Sequence, residues 1–281
     1  MNYNFETLTK AIVLNKEVEN KTQDLLNSDP IFNNPEKYFG VLKDSKTDFT
    51  KLQNELNDVD GFKLLGLELL CALETQKDYK DIGISEKIYI DTFKCFSRFI
   101  EESYELYGKY KFDRFYWLHH QLNANLFRIG ELEYEIKNEE REISLHIPSD
   151  ANLSIQKVLT SISKAKKFFS KYFKETKNYS YSCYSYLLMP NMKYFLKSPS
   201  NILNFQKIFK ICKVNYEDTS YLQRIFKTKN PDIASLKEDT RLQRGLKQYL
   251  LSGHRFGSAL GYINFLKLEE MNIWSISFYL L

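Results

Sequence analysis

Hydrophobic positions in the first half of the chain follow a helical period. Residues 62–73 are almost continuously apolar, as in a helix buried on most of its surface. Further on, Tyr89, Phe93, Phe96, Ile100, Tyr104 and Tyr107 recur every three or four positions and trace one face of a long amphipathic helix. Ser85 is placed to cap its start and Gly108 to stop it. A second helix is predicted from about Asp113, with Phe115, Leu118, Leu122 and Leu126 along one face. Ahead of Pro30 and Pro35, a shorter helical segment carries Leu8, Ile12, Leu25 and Leu26.

Near Phe127 the period changes. Ile129, Leu132, Tyr134 and Ile136 approach strict alternation, a charged stretch follows over 137–141, and Ile143, Leu145 and Ile147 then alternate with Ser144 and His146. Two alternating runs about a short charged turn predict a β-hairpin. Beyond Pro148, helices and strands alternate. Ser154 is placed to cap a helix whose apolar face is Ile155, Val158, Leu159, Ile162, Ala165, Phe169 and Phe173. Residues 179–189 read as a buried strand ended by Pro190; Pro199 and Ser200 open a short helix, and 208–216 read as another strand. Thr240 and Gln243 make a T-x-x-Q capping box for a helix carrying Leu242, Leu246 and Leu250, stopped at Gly253. Residues 260–268 and 273–281 predict a closing hairpin. The pattern as a whole is α+β. A helical domain is predicted over about 1–130, followed over 131–281 by a mixed sheet with helices packed on it.

Composition narrows the classes. With 43% hydrophobic and 27% charged residues over 281 positions, the chain has the balance of a soluble globular protein. The most apolar run, 64–73, contains Glu68 and is far short of the roughly 20 residues that a bilayer requires, so no membrane association is expected. The opening MNYNFETLTK carries Glu6 and no apolar core, which predicts no secretion signal and a cytoplasmic chain with reduced thiols. Cys71, Cys95, Cys183 and Cys212 lie too far apart for a C-x-x-C metal or redox pair, and His119 and His120 are adjacent on a helical segment, so no metal is expected.

The net charge of +4 conceals an asymmetry. Residues 1–141 hold 19 Lys+Arg against 26 Asp+Glu, a net −7, and residues 142–281 hold 21 against 10, a net +11. An acidic half followed by a basic half suggests different partners, and a basic domain favours a phosphorylated cofactor or a nucleic acid. The plainer account is that the partition helps the halves to dock. There is no G-x-S-x-G, G-x-G-x-x-G, H-E-x-x-H or Walker motif.

The stretch LFRIGELEYE at 126–135 followed by ISLHIPSDANLS at 143–154 resembles a bacterial family of two-domain acyltransferases, which joins a helical N-terminal domain to a GNAT-like C-terminal domain. CYSYLLMP at 183–190, SNILNF at 200–205 and TRLQRGLKQYL at 240–250 extend the resemblance in the same order. Where the family's strand motif reads Cys-His-Ser-Trp, this chain has Tyr184 and Tyr186 in place of His and Trp. The resemblance implies transfer of an acyl group, acetyl in the first instance, from acyl-coenzyme A to an amine by direct attack. It also implies two neighbouring parallel strands that splay apart, 142–147 and 179–188 here. The pantetheine arm would enter the gap and the pyrophosphate would sit at the following helix start, 149–154. The Gly-rich Q/R-x-x-G-x-G/A loop of ordinary GNAT enzymes has no counterpart, since residues 148–155 contain no glycine.

On that reading the cofactor-binding candidates are Leu145, Ile147, Ser149, Ser154, Ser185 and Arg244, and the catalytic candidates are His146 and Tyr184. An imidazole titrates near neutrality and suits a base for the acceptor amine, while a phenol can protonate a departing thiolate. The plainer alternatives are a hydrogen-bonded strand histidine and core aromatics in a chain with 20 tyrosines. Cys183 fits a buried structural thiol better than a nucleophile. Gln243 is accounted for by its capping box; Arg244 lies in the first turn of its helix, where a cation gains nothing from the dipole. The expected partner is a small-molecule or peptide amine. Two rivals remain open: a non-catalytic module that keeps the fold, and a nucleic-acid-binding protein using the basic half. Against the latter, the lysines are scattered and no nucleic-acid motif is present.

Overall fold

A computed structural model describes residues 1–230 and 232–266 of the chain. The chain divides into two compact units, Met1–Ile129 and Gly130–Leu281.

The first unit is built from helices α1 (Phe5–Ala11), α2 (Lys16–Ser28), α3 (Glu36–Lys43), α4 (Phe49–Glu55), α5 (Phe62–Ile82), α6 (Glu86–Phe93), α7 (Cys95–Tyr107) and α8 (His119–Leu122), followed by strand β1 (Leu126–Ile129). The apolar run at 62–73 is the first half of α5, and Leu64, Leu65, Leu67, Leu69, Cys71 and Ala72 are fully buried. Around its far end Tyr79, Tyr89, Phe93 and Phe127 form an aromatic cluster with ring centroids 4.8–5.8 Å apart. Ser85 caps α6 through the Ile88 N–H, and Gly108, left-handed at φ 69°, closes α7.

Three helical expectations need correction. The helix from Ser85 is interrupted at Lys94, although hydrogen bonds from Lys94 N–H to Ile90 O and from Arg98 N–H to Lys94 O carry the periodic face through. The segment before Pro30 is two helices, divided where Val13 takes φ 60° and Asn15 caps anew. The helix expected from Asp113 to Leu126 is a 3-10 turn at Phe115–Trp117 and the short α8; Ala124, at φ 50°, ends it and Leu126 opens β1.

The second unit carries strands β2 (Leu132–Lys137), β3 (Glu142–His146), β4 (Ser180–Ser185), β5 (Phe209–Asn215) and β6 (Ser258–Ile263), with helices α9 (Ile155–Tyr172), α10 (Asn201–Gln206), α11 (Ser220–Phe226) and α12 (Arg241–Leu251). Within this unit the strand order is β2-β3-β4-β6-β5. β2 and β3 form the expected hairpin, with Tyr134 opposite Leu145. β3 and β4 run parallel, joined through α9, while β4–β6 and β5–β6 are antiparallel. A register shift between Ile211 and Lys213 leaves Cys212 as the extra residue of β5.

Register divides the sheet into two faces. Tyr134, Ile143, Leu145, Tyr181 and Cys183 lie on the face covered by α9, where Phe169 packs against Tyr134 and Tyr181 and the Ser161 hydroxyl meets the Tyr134 phenol at 2.9 Å. The other face carries Glu133, Glu135, Ser144, His146, Ser182 and Tyr184. Alternation therefore puts an aromatic-aliphatic layer under the helix and a polar row above the sheet.

In this unit too the ends differ from expectation. β4 stops at Ser185, because the Ser185 hydroxyl accepts the Leu187 N–H and starts a 3-10 turn. β6 spans Ser258–Ile263 rather than 260–268, and Phe265 and Leu266 are already helical. The strand expected at 273–281 lies outside the described residues. The capping box of Thr240 and Gln243 is formed in both directions.

Candidate active site

The ladder between β3 and β4 ends before the strands do. Its last pair is Leu145 with Cys183. β3 stays bonded to β2 as far as His146, opposite Glu133, and β4 stays bonded to β6 as far as Ser185, opposite Ala259. Each strand is thus held on its outer side while the inner side opens from His146 and Tyr184 onward. That opening is where an extended ligand can pair with backbone as a strand does.

Just beyond β3, the chain turns into α9. Ala151 N–H bonds to Pro148 O at 3.0 Å, Asn152 N–H to the Glu131 carboxylate at 3.0 Å and Ser154 N–H to Asn152 Oδ1 at 2.9 Å, so the loop without glycine is fixed by its own polar side chains and by Glu131. Ser154 is the N-cap residue of α9, as its position in the sequence predicts, but its hydroxyl makes no capping bond. The first turn of this 18-residue helix holds no acidic side chain, which leaves its N–H groups and dipole able to favour an anion. Ser149 is exposed beside it.

His146 points from the polar face. Its Nε2 lies 2.8 Å from Glu135 Oε2; the histidine side chain is 26% exposed and the glutamate 9%. Leu145, on the opposite face, is buried, and Ile147 is half-buried at the lip of the opening. Across the gap Tyr184 is 49% exposed. Its hydroxyl accepts from Asn215 Nδ2 at 3.1 Å and also bonds to Asp218, which in turn is bonded by Ser220 and Ser258. Burial pushes the phenol up; the Asn215 amide acts against this and the Asp218 carboxylate adds to it. Burial likewise acts to raise Asp218, but the hydrogen bonds from Ser220, Ser258 and Tyr184 outweigh it and hold that carboxyl below its ordinary value.

Cys183 is fully buried on the α9 face, and burial alone pushes its thiol up to about 12, which makes it a poor nucleophile. Ser185 spends its hydroxyl on the 3-10 turn. Arg244 is exposed and donates from Nη1 to the carbonyls of Glu238 and Asp239, at 2.7 and 3.1 Å, which ties it to the segment ahead of its own helix. The structure thus gathers His146, Ile147, Tyr184 and Ser185 at one opening, with Ser149 and Ser154 in the loop that follows β3. Glu135, Asn215, Asp218 and Ser258 escaped the sequence reading. Glu135 had a signal, since Glu133 and Glu135 alternate with the same period as Ser144 and His146. The other three come together only through strand pairing.

A profile of the GNAT-like C-terminal domain matches residues 96–263, and one of the N-acyltransferase N-terminal domain matches residues 6–124. The chain belongs to the two-domain N-acyltransferase family. In this family setting, two solved structures share its fold. An acyltransferase in complex with decanoyl-CoA and teicoplanin superposes with a TM-score of 0.79 at 16% identity, over 91% of this chain and 86% of that one. An acyltransferase in complex with decanoyl-CoA gives a TM-score of 0.72 at 17% identity, over 93% of this chain and 99% of the other. No curated protein matches this N-acyltransferase family member in sequence. Among the described residues no helix is long and apolar enough to cross a membrane, and no three His, Cys, Asp or Glu side chains are grouped to hold a metal.

Proposed function

We propose that the chain transfers an acyl group from acyl-coenzyme A directly to the nitrogen of an amine. The observation that carries this reading is the β3–β4 ladder that ends at Leu145–Cys183 while both strands continue, followed at once by the start of α9 with no acid in its first turn. The pantetheine arm would pair in the opening and the pyrophosphate would lie at 149–154. The solved relatives carrying decanoyl-CoA support a thioester donor and make chains longer than acetyl worth testing.

In the proposed reaction the amine nitrogen attacks the thioester carbon. A C–N bond forms, the C–S bond breaks, the amine proton passes to His146 and the leaving sulfur takes a proton from Tyr184. Backbone N–H groups at the opening would stabilise the oxyanion. The helical region, about 1–130, would supply the acceptor side and 131–281 the transferase site. A small-molecule or peptide amine fits as acceptor, and the cytoplasm as the compartment.

Free-thiol release from acetyl-, octanoyl- and decanoyl-coenzyme A across a panel of primary amines tests the activity. His146→Ala should lower turnover about 10²–10⁴-fold with little change in coenzyme A affinity. Cys183→Ala should leave turnover largely intact. An acyl adduct on Cys183 would replace direct attack with a covalent route. A second reading, a non-catalytic module, draws on the glycine-free loop and on Tyr184 and Tyr186 where the family has His and Trp. Calorimetric binding of coenzyme A without thiol release from any amine would favour it. Binding to DNA or RNA alone, with a steep salt dependence, would favour a nucleic-acid protein instead.

A further inference from the structure

We infer that Glu135 is the positioning residue of this site, holding the His146 ring so that Nε2 carries the proton and Nδ1 keeps the lone pair. The inference rests on the proposed role of His146 as the base.

The geometry begins with the hairpin. In the antiparallel β2–β3 ladder Glu135 is opposite Ser144 and Glu133 is opposite His146, so all four side chains share one face of the sheet. Glu135 therefore reaches His146 along the diagonal, and its Oε2 meets Nε2 at 2.8 Å. Both carboxylates are buried, Glu133 at 3% exposure and Glu135 at 7%. β2 holds Glu135 rigidly, because Tyr134 and Ile136 on either side are anchored in the layer under α9.

An ionised carboxylate only accepts hydrogen bonds. A neutral imidazole has one N–H and one bare nitrogen, and the hydrogen bond made by one nitrogen decides the state of the other. With Glu135 accepting, Nε2 is the donor and Nδ1 is the basic nitrogen. In the transfer, the lone pair on Nδ1 takes the amine proton as the C–N bond forms. The resulting imidazolium keeps its Nε2–H on the Glu135 carboxylate, whose charge stabilises it. Glu135 exchanges no proton itself; its contribution is to select a tautomer and to orient a ring.

The test uses the full chain. Nitrogen-15 NMR of uniformly labelled protein, at a pH where histidine is neutral, reads the tautomer of each imidazole, and His146→Gln identifies the His146 signals. Wild type should show His146 protonated at Nε2 alone. Glu135→Leu, verified as folded by circular dichroism, should convert it to a mixture of tautomers. A His146 protonated at Nδ1 in wild type, or signals unchanged in Glu135→Leu, would overturn the inference. This arm needs no acceptor. With octanoyl-coenzyme A and an amine that supports thiol release, Glu135→Leu should lower kcat about 10²-fold and leave KM for the donor within about twofold. Added to His146→Gln, it should cost nothing more. Glu135→Asp, one methylene short of the ring, should restore little. If His146→Gln turns over as wild type does, the base assignment fails, whatever the tautomer. If His146→Gln is impaired and Glu135→Leu is not, the base stands and the positioning role falls.

Discussion

At the scale of single residues, one buried acid of the helical unit carries a cost of its own. Glu68 sits in the first half of α5, fully buried, and neither carboxylate oxygen finds a hydrogen-bond partner among the described residues. Burial holds its carboxyl well above the ordinary value. The folded chain thus binds a proton that the unfolded chain releases near pH ~4.3. Below that value the ionisation of Glu68 costs nothing, and only the burial of a neutral carboxyl without hydrogen bonds remains. As pH rises through it the folded state loses stability, and the loss levels off only above the raised folded value. Glu68→Leu should therefore stabilise most at pH 8, by about 1–4 kcal/mol, and least near pH 4. Thermal melts of both proteins across that range measure it; a gap in Tm that ignores pH would mean that ionisation of Glu68 is not the burden.

At the scale of elements, close approaches govern how the site is assembled. A Cβ on Gly257 would lie 2.0 Å from Asn215 O, so β6 can begin where it does only because glycine precedes it. Asn215 also donates to the Tyr184 phenol, and Ser258, the next residue in the chain, bonds to Asp218. Gly257→Ala should cost about 1–3 kcal/mol in urea unfolding and disturb the Tyr184 cluster at the same time. Thr240→Ala, which breaks the capping box of α12, should cost about 0.5–2 kcal/mol and leave that cluster alone. Equal damage from the two would show that the Asn215–Gly257 contact has no special bearing on Tyr184.

These elements also mark how far the sequence could be read. The β2–β3 hairpin, α5, α9 and the α12 box were legible because period and capping act over a few residues, and the polar face bearing His146 followed from alternation. Ala124 and Val13 in left-handed conformations carry no local signature, so the helix ends near them were misplaced. Ser185 ended β4 early through its own hydroxyl, within a run whose apolar character still suggested a strand. Asp218 and Ser258 meet Tyr184 through antiparallel pairing across 74 positions of chain between Tyr184 and Ser258, a relation that no spacing rule shows.

For the molecule as a whole, the partition of charge outweighs the net value. The +11 of residues 142–281 includes Lys157, Lys164, Lys166, Lys167 and Lys171 on α9, a helix with no acidic residue. At physiological salt each charge is felt over about 8 Å, so a polyanion senses this surface rather than the modest total. The protein should bind a cation exchanger at pH 7.5 more tightly than its +4 suggests. Replacing the exposed Lys164, Lys167 and Lys171 by Glu should bring elution markedly forward with little change in Tm. Unchanged elution would place the effective basic surface elsewhere.

The unfinished ladder between β3 and β4 has a counterpart in amide exchange. A sheet interior normally exchanges its protons only when the sheet opens. Here the middle of the sheet contains a short stretch where two adjacent strands have lost each other and kept their outer neighbours. Deuterium should enter peptides covering 146–149 and 184–187 ahead of those covering β2 and β6, an island of fast uptake inside a slow sheet. If an acyl-coenzyme A donor pairs along that gap, the island should fall silent when the donor is added, while the edges of the sheet keep their pace.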